Sequence, residues 1–378
     1  MWPMHICRIS KRYPPLIGGL ENHVRSLSIQ QAMGNNQVDT FIMFGDSTQE
    51  IESNFRVIKV SGGRLIKWMK SESIISIFCA LSFLFKVYRQ HKKYPYDVIH
   101  IHGDWVEANL ARILSRLLKV PAIIHVHSGL NKSKLYRFFA KQSFAKVNCV
   151  IVQSTDLYDE MTSLGVPKSK IQQLHSGIWR SDFHLRKTTS STGPLKLIAI
   201  GRLHKMKGFN FLINAISQFG RDEVCLDIVG EGPEKADLQA TASKSKASIR
   251  FLGAIEHSKI ANLLSKYDAM VVPSVVLEGQ SETTPTVILE AMATGLPIIG
   301  SEIAGIKDVV QHHINGFLVP ERDTGELALS IKKLVSNPVL QKQMRKANRE
   351  ASKSFDWSVI VKKVDNAYSI AGVSQNNL

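Results

Sequence analysis

The sequence predicts an α/β protein built from two doubly wound parallel sheets. Short apolar runs alternate with segments of helical i, i+3, i+4 spacing along the 378-residue chain. Several runs are apolar at every position, which is typical of strands that are covered by helices on both faces. A polar stretch at residues 186–193 divides the chain into two halves with similar numbers of strands. We therefore expect two Rossmann-like domains.

The predicted strands follow one another at spacings that leave room for a helix between most of them. In the first half they are residues 4–9, 38–44, 57–60, 98–102, 122–126 and 147–152. In the second half they are residues 195–200, 224–229, 249–252, 269–272, 297–300 and 316–319. Helical spacing is clearest in residues 20–33 and 285–293.

The predicted domains follow from this division. We expect an N-terminal domain over residues 1–185 and a C-terminal domain over residues 194–354. A last helix within residues 355–378 is left open to either domain, including a crossing back to the first. Ligands bind at the carboxyl ends of parallel strands, so we expect the site in a central cleft that both domains face.

Composition excludes several classes of protein. The chain is 44% hydrophobic and 21% charged, which disfavours disorder, collagen-like repeats and coiled coil. The four cysteines, Cys7, Cys79, Cys149 and Cys225, are far apart and predict neither a disulfide framework nor a zinc site. The longest apolar run, residues 74–85, is too short to cross a bilayer, and we expect no signal peptide. These observations favour a cytoplasmic protein.

Positive charge is concentrated in the first half. The net charge is +16, and residues 56–146 alone hold 17 basic and 4 acidic side chains. The apolar run 74–88 is expected to form a buried helix, and it is flanked by Lys67, Lys70, Lys86, Arg89, Lys92 and Lys93. Such a field attracts nucleic acid, an anionic membrane or a phosphorylated substrate. A generally basic surface that serves solubility is the alternative.

The segment after the first strand of the second half carries two cations between glycines. It reads Gly201-Arg202-Leu203-His204-Lys205-Met206-Lys207-Gly208. Arg202 offers a planar fork and Lys207 a point charge, which together suit a diphosphate. The pattern alone favours a ligand-binding loop and a solvated loop about equally.

Two glutamates flank a predicted helix start. Glu282 precedes Thr284-Pro285-Thr286, and Glu290 follows eight positions after Glu282 in an apolar helix. Pro285 fits the first turn, whose unpaired N–H groups form an anion site. Glu290 is able to accept hydrogen bonds from two sugar hydroxyls. The alternative is a helix start with an acidic residue that favours the dipole and one solvated glutamate.

In combination these motifs resemble the retaining glycosyltransferases of family 4, which have the GT-B fold. The second half carries Gly201-Arg202-x4-Lys207-Gly208, the glutamate pair, and Glu290-Ala291-Met292-Ala293-x-Gly295-x-Pro297. The first half agrees, because Gly18-Gly19 is similar to the family's Gly-Gly turn after the first strand. The chain departs from the family at Pro285, where a glycine is common.

The resemblance implies a metal-independent hexosyltransferase that uses a nucleotide diphosphate sugar and no cofactor. The donor-binding positions it implies are Gly18, Gly19, Arg202, Lys207, Thr284 and Thr286 for the diphosphate, Glu290 for the ribose, and Gly253, Ala254 and Ile255 for the base. It implies catalytic roles for His127 and Glu282 near the donor sugar. For the other histidines that end strands, among them His102 and His125, we favour a structural role, since a catalytic group must reach the substrate.

The function we expect is transfer of a sugar to a glycan or lipid-linked glycan in bacterial surface polysaccharide synthesis, such as O-antigen, capsule or exopolysaccharide. The enzyme is expected in the cytoplasm, peripherally associated with the inner face of the membrane through anionic lipid. No nucleic acid partner is expected. The alternatives are a catalytically inactive GT-B scaffold that binds anionic membrane or nucleic acid, a transferase with a soluble small-molecule acceptor, and a phosphorylase on the same fold.

Overall fold

The structure is a computed structural model that describes residues 3–16, 18–47, 51–52, 54–60, 72–129, 134–185, 193–277 and 282–373. The chain forms two compact units. The first unit comprises Met1–Gly177 and Trp357–Leu378, and the second comprises Ile178–Asp356. Each unit is built on a mainly parallel sheet with connecting helices, which confirms the predicted fold class.

The sheet of the first unit has eight strands in the order β3-β4-β2-β1-β5-β6-β7-β8. The strands are β1 (His5–Arg12), β2 (Gln37–Phe44), β3 (Ile51–Glu52), β4 (Phe55–Lys59), β5 (Val98–His102), β6 (Ala122–Val126), β7 (Cys149–Val152) and β8 (Ile171–Gln173). The helices are α1 (Gly19–Met33), α2 (Glu72–Lys93), α3 (Trp105–Leu118), α4 (Lys134–Phe144) and α5 (Thr155–Ser163). All neighbouring strands are parallel except β3, which runs antiparallel to β4. All six strands predicted for this half are present, and β3 and β8 are additional.

The sheet of the second unit has six parallel strands in the order β11-β10-β9-β12-β13-β14. The strands are β9 (Leu195–Ile200), β10 (Val224–Val229), β11 (Ser248–Gly253), β12 (Ala269–Val272), β13 (Ile298–Ser301) and β14 (Gly316–Val319). The helices are α6 (Phe209–Ile216), α7 (Lys235–Ala242), α8 (His257–Leu264), α9 (Thr286–Thr294), α10 (Ala304–Lys307), α11 (Thr324–Ser336) and α12 (Pro338–Ala351). The strand order reverses between β9 and β12. From β9 the chain continues to β10 on one side of the sheet, and from β12 it continues to β13 on the other side.

The division between the units differs from the predicted boundary at residue 185. Ile178 and Phe183 are buried in the core of the second unit, and the Ile178 N–H donates to the Phe355 carbonyl over 2.9 Å. Of the predicted linker, residues 186–193, only Gly193 is described. The segment before that linker therefore belongs with the second unit because its apolar side chains pack there.

The last helix, α13 (Trp357–Ile370), belongs to the first unit. The Tyr368 hydroxyl lies 2.8 Å from His100 Nδ1 and accepts a hydrogen bond from Arg8 over 3.2 Å. The Trp357 ring lies against Gly177, where a Cβ would be 2.4 Å from a ring carbon. The chain therefore returns to the first unit after residue 356.

The two faces of the first sheet differ in polarity. One face packs against α2–α5 with apolar side chains such as Ile9, Phe41 and Ile101. The other face, toward α1 and α13, carries buried polar side chains, among them Arg8 and His100. The unit therefore has an apolar core on one side of its sheet and a hydrogen-bonded polar layer on the other.

Residues 74–88 lie in helix α2 as predicted, but the prediction that this helix is buried is wrong for one of its faces. Cys79, Phe83 and Val87 are fully buried, but Ile77, Leu81 and Phe85 on another face of the helix are 49%, 60% and 64% exposed. An apolar pattern that runs all round a helix does not show which face meets the core. None of the described helices combines the length and apolar character needed to cross a membrane.

A buried aspartate links two strands of the first unit to the segment that precedes β5. Asp39 on β2 accepts a two-armed hydrogen bond from Arg56 on β4, with both distances 2.8 Å, and a third from the Tyr96 hydroxyl over 2.8 Å. The next residue, Asp97, accepts the His5 N–H over 2.7 Å. Burial raises the pKa of Asp39, but hydrogen bonds from His5, Arg56 and Tyr96 outweigh it, so this pKa lies below its usual value.

The second unit repeats this arrangement at the equivalent strands. Asp227 on β10 accepts a two-armed hydrogen bond from Arg250 on β11 over 2.7 and 2.6 Å, and a third from the Tyr267 hydroxyl over 2.5 Å. The next residue, Asp268, accepts the Lys196 N–H over 3.0 Å. In both units the aspartate and arginine are direct partners in the strand register. The two sheets are therefore fastened in the same way, by contacts among the second strand, the strand beside it and the segment that precedes β5 or β12.

We expect Asp39→Asn to lower the free energy of unfolding at pH 7 by about 1.5–3 kcal/mol, since it weakens charged hydrogen bonds. The pKa of Asp39 is lowered in the folded state, so its stabilisation is present above the ordinary aspartate value and is lost as the pH falls below about 4. Urea unfolding at pH 7, 5 and 3.5 measures the difference from wild type, which should shrink at the lowest pH. Asp237→Asn, at an exposed position on α7, is the control. A difference that does not change with pH would contradict this account.

Candidate functional site

The loop that follows β9 lies at the strand reversal of the second sheet. It contains a short 3₁₀ turn, Lys205–Lys207, and ends at Gly208, whose φ is +63°. A Cβ at Gly208 would lie 1.9 Å from the carbonyl oxygen of Pro273, in the loop that follows β12. The two loops are therefore in contact at the carboxyl ends of neighbouring strands, and only glycine fits the point of contact.

Lys207 and Glu282 form an ion pair at this end of the sheet. Their side chains are 17% and 16% exposed, so solvent reaches both. The Ser274 hydroxyl donates to Glu282 Oε2 over 2.7 Å. The side-chain carbons of Lys207 cross Gly201, where a Cβ would lie 2.9 Å from Lys207 Cε. The structure therefore brings together two of the predicted site residues, and it adds Ser274 as a third.

Arg202 lies in the same loop but has a different environment. It is exposed, and within the described part of the chain its side chain forms no hydrogen bond or ion pair. Its guanidinium is therefore available to a ligand that approaches the loop from solvent.

Helix α9 begins one residue later than predicted. Thr286 is its first residue, and Pro285 is the N-cap, with φ −62° and ψ 125°. Thr284 is buried, and its hydroxyl donates to the Gly305 carbonyl over 3.2 Å. Pro285 thus precedes the first turn instead of lying in it. The Ile288 N–H donates to the Pro285 carbonyl over 3.0 Å, which leaves the N–H groups of Thr286 and Val287 to carry the positive end of the helix dipole, and this end suits an anion.

Glu290 is buried at the fifth residue of α9. Its Oε1 lies 2.8 Å from His257 Nε2 at the start of α8, and its Oε2 is buried with no hydrogen-bond partner among the described residues. The hydrogen bond to Glu290 raises the pKa of His257. An unpartnered carboxylate oxygen is suited to accept a bond from a ligand hydroxyl. His257 was not predicted, because its role depends on this contact between two helices.

The predicted base-binding segment leads directly to that contact. Gly253 ends β11 with φ +71°, and its carbonyl accepts the Gly230 N–H over 2.8 Å. Ala254 is exposed and Ile255 is half-buried, and α8 then begins at His257. The segment is therefore continuous with the residue that contacts Glu290.

Gly18 and Gly19 lie at the start of α1 in the first unit, with Gly18 as the N-cap. A Cβ at Gly18 would lie 2.2 Å from Glu21 Oε2, whereas a Cβ at Gly19 would meet nothing within 4 Å. Glu21 is buried and paired with Arg12 over 2.6 Å. A side chain therefore has no room at Gly18. At Gly19 it would have room, and the absence of a side chain there leaves the N-terminus of α1 open.

His127 follows β6 and lies in a cluster of histidines. Its Nε2 is 2.8 Å from His102 Nδ1, and its ring is stacked on that of His125 at 4.2 Å. Burial lowers the pKa of His127 to about 3, although a hydrogen bond to Gln153 acts in the opposite direction and raises this pKa. Burial likewise lowers the pKa values of His102 and His125 far below the ordinary value. His127 is therefore a neutral hydrogen-bonding group at physiological pH.

Comparison with known proteins gives two family matches. The model for Glycosyl transferases group 1 matches residues 181–351, and the model for Glycosyltransferase Family 4 matches residues 17–179. A glycogen synthase of Mycobacterium tuberculosis is 28% identical, over 97% of this chain and 95% of the relative. An amylovoran biosynthesis glycosyltransferase of Erwinia amylovora is 28% identical, over 46% of this chain and 44% of the relative. The crystal structure of Anabaena HepE in complex with UDP superposes with a TM-score of 0.77 at 18% identity, covering 97% of this chain and 100% of that one.

We expect Gly208→Ala to destabilise the second unit and to displace Lys207. The added methyl group occupies a position with positive φ, which alone costs about 1–3 kcal/mol, and it meets the Pro273 carbonyl. Thermal unfolding measures the change in Tm. Gly220→Ala is the matched control, because its Cβ would only reach Glu223 Oε2 at 3.5 Å. Equal Tm values for the two variants would show that the contact between the two loops carries no strain.

Proposed function

Because the chain belongs to glycosyltransferase family 4 and has the GT-B fold, we propose that it is a retaining hexosyltransferase with a nucleoside diphosphate sugar as donor. The observation that carries the proposal is the meeting of Lys207, Glu282 and Ser274 at the strand reversal of the second unit. Parallel sheets bind ligands at such a position. The complex of HepE with UDP supports a nucleotide donor for this fold.

The donor diphosphate is bound by two cations and a helix start. Arg202 supplies a planar fork from its exposed position, and Lys207 supplies a point charge from the same loop. The N–H groups that follow Thr284 and Pro285, including that of Thr286, add the positive end of α9. For Gly18 and Gly19 at the start of α1, a role in binding the diphosphate remains what the family resemblance implies. Two cations and a helix dipole supply the charge that a metal ion provides in other transferases, so we propose a reaction that needs no metal or other cofactor.

The chemical step breaks the bond between the sugar C1 and the oxygen of the β-phosphate. The acceptor hydroxyl forms a bond to C1 on the same face, and its proton leaves with the departing phosphate. Negative charge grows on the diphosphate as the bond breaks, and Arg202, Lys207 and the α9 N–H groups stabilise it. Glu282, held by Lys207 and Ser274, contacts the donor sugar. For His127, a neutral imidazole, a hydrogen bond to the donor sugar remains what the family resemblance implies.

The nucleoside is bound beside the middle of α9, where Glu290 lies. Glu290 Oε2 accepts from the ribose hydroxyls, while His257 holds Oε1 and fixes the orientation of the carboxylate. Gly253, Ala254 and Ile255 line the base. His257 is thus a positioning residue for ribose binding.

We propose a glycan or lipid-linked glycan acceptor in bacterial surface polysaccharide synthesis, and peripheral binding to the cytoplasmic face of the membrane. The amylovoran relative supports a polysaccharide product. The membrane-binding surface is the exposed face of α2, defined here by Ile77, Leu81 and Phe85. Basic side chains continue along the helix at Lys86, Arg89, Lys92 and Lys93, and the Arg89 guanidinium lies 5.5 Å from the centre of the Phe85 ring. An apolar stripe with adjacent cations suits an anionic lipid surface. Lys67 and Lys70 lie outside the described residues.

Arg202→Ala and Lys207→Ala should each lower kcat/KM, on the order of 10²-fold, because both charges act on the departing diphosphate. The assay measures transfer or hydrolysis of the nucleotide sugar by the purified enzyme. Lys205→Ala is the matched control, since Lys205 is exposed in the same loop and is assigned no donor contact. Wild-type turnover in both Arg202→Ala and Lys207→Ala would refute the donor site.

The double variant Leu81→Ser/Phe85→Ser should lose binding to vesicles that contain anionic lipid, while it keeps wild-type affinity for the nucleotide. The two residues supply most of the apolar area of the α2 surface, and binding scales with that area. Cosedimentation at low and high salt measures it. Leu329→Ser/Val339→Ser, at exposed apolar positions of the second unit, is the control. Equal binding of wild type to neutral and anionic vesicles would contradict the proposed surface.

A further inference from the structure

The first unit contains a cluster of four histidines whose ring nitrogens converge. His23 comes from α1, His102 from the end of β5, His125 from β6 and His127 from the residue after β6. One nitrogen from each of the four lies within 4.8 Å of the others. The distances between ring centres run from 4.2 Å for His125 and His127 to 5.7 Å for His23 and His102.

Several nitrogens of this histidine cluster are buried without a partner. Within the described residues, His23 Nε2, His102 Nε2 and both ring nitrogens of His125 form no hydrogen bond. Buried polar atoms in folded proteins are normally paired, because an unpaired one has lost its bonds to water. Four such atoms in one place, on side chains that offer lone pairs, point to a ligand that accepts electron pairs.

We propose that the histidine cluster binds one divalent transition-metal ion of the Zn²⁺ type. Four imidazoles bound at about 2.0–2.1 Å around a tetrahedral ion have ring centres about 5 Å apart. The observed separations of 4.2–5.7 Å bracket that value. Imidazole nitrogen without any carboxylate selects zinc, copper or nickel, and disfavours magnesium and calcium.

Ring orientation shows what must move when the ion binds. His23 meets the ring of His125 edge-on at 86°, whereas the rings of His102, His125 and His127 are stacked on one another, at angles of 26°, 28° and 19° for the three pairs. Two nearly parallel rings cannot both direct an in-plane lone pair at one ion. Binding therefore turns the stacked rings about their side-chain torsions, while the strands that carry them stay in place.

Two of the ligands have hydrogen-bond partners outside the cluster. His23 Nδ1 lies 2.9 Å from the Ser176 hydroxyl, which leaves Nε2 for the ion. His127 is hydrogen-bonded to Gln153, and its 2.8 Å contact with His102 Nδ1 through Nε2 is given up when the ion binds. Metal-binding histidines usually have such a partner on the nitrogen away from the metal.

The positive charge of the buried Arg8 acts on His23 and His125, and its guanidinium donates to Ser28 over 2.8 Å and to Tyr368 over 3.2 Å. The positive charge of Arg8 opposes the binding of a metal cation to the cluster. Selection of the ion therefore depends on the imidazole ligands and not on the overall charge of the site. His100 is stacked on His102 at 4.6 Å and is bonded to Tyr368, which places it outside the four ligands.

Occupation of the site uses His127 as a ligand. If His127 contacts the donor sugar, as the proposed function requires, then zinc inhibits sugar transfer. If it does not, zinc binds without inhibition. Metal binding and the role of His127 in transfer are therefore tested by separate measurements.

The experiment uses the full chain without a histidine tag, stripped with chelator, loaded with ZnCl₂ and desalted. We expect one zinc per chain by elemental analysis, and X-ray absorption at the zinc edge should show four imidazole nitrogens. His23→Gln removes a ligand from α1 without changing the strands, so the imidazole count should fall to three or the zinc should be lost. His102→Asn/His125→Asn should lose zinc altogether.

The control is His312→Gln/His313→Gln, which removes an adjacent pair in the second unit whose rings are 4.0 Å apart. This variant should keep one zinc per chain. The proposal is overturned if wild type retains no zinc, if the zinc has sulfur ligands, or if His23→Gln binds zinc with an unchanged spectrum. Circular dichroism checks folding of the double variant, and the wild-type spectrum decides the result if that variant does not fold.

Discussion

The close approach of Gly208 to the Pro273 carbonyl is the constraint on which the candidate donor site depends. Through this approach the loop after β9 contacts the loop after β12, at the point where the strand order reverses. Because of this contact, Lys207 and Glu282 meet although 75 residues separate them in sequence. The contact uses backbone atoms and the absence of a Cβ, so it positions the charges without involving the groups that are assigned to the ligand.

The two units are fastened by equivalent interactions away from these loops. An aspartate on the second strand of each sheet accepts bonds from an arginine on the neighbouring strand and from a tyrosine two residues before a later strand. These bonds connect strands within each sheet. They do not involve the loops at the carboxyl ends of the strands, and these loops differ between the two units. In the first unit, the α1 and α13 side of the sheet then carries a polar layer with the histidine cluster. In the second unit, the loops instead carry the cations and carboxylates.

The sequence predicts the structural features that depend on a local pattern of residues. It does not predict the features that depend on contacts between segments distant in the chain. The twelve longer strands have clear apolar runs, whereas Ile51–Glu52 and Ile171–Gln173 are too short for any periodicity. The spacing of Glu282 and Glu290 indicated a ligand-binding helix, but nothing in it indicated that His257 holds Glu290. His125 and His127 were visible at the end of one strand, while His23 joins them only because α1 packs over that strand. The exposed face of α2 was missed because its sequence is apolar on every side.

The most direct test of the central claim is calorimetric titration of the wild-type enzyme with UDP, GDP and ADP in the presence of chelator. The claim is that cations and a helix N-terminus of the second unit bind a nucleoside diphosphate without a metal. The account predicts that one of the three diphosphates binds, and that its monophosphate binds at least tenfold more weakly, which corresponds to about 1.4 kcal/mol. Failure of all three to bind, or equal affinity for the diphosphate and its monophosphate, would contradict it.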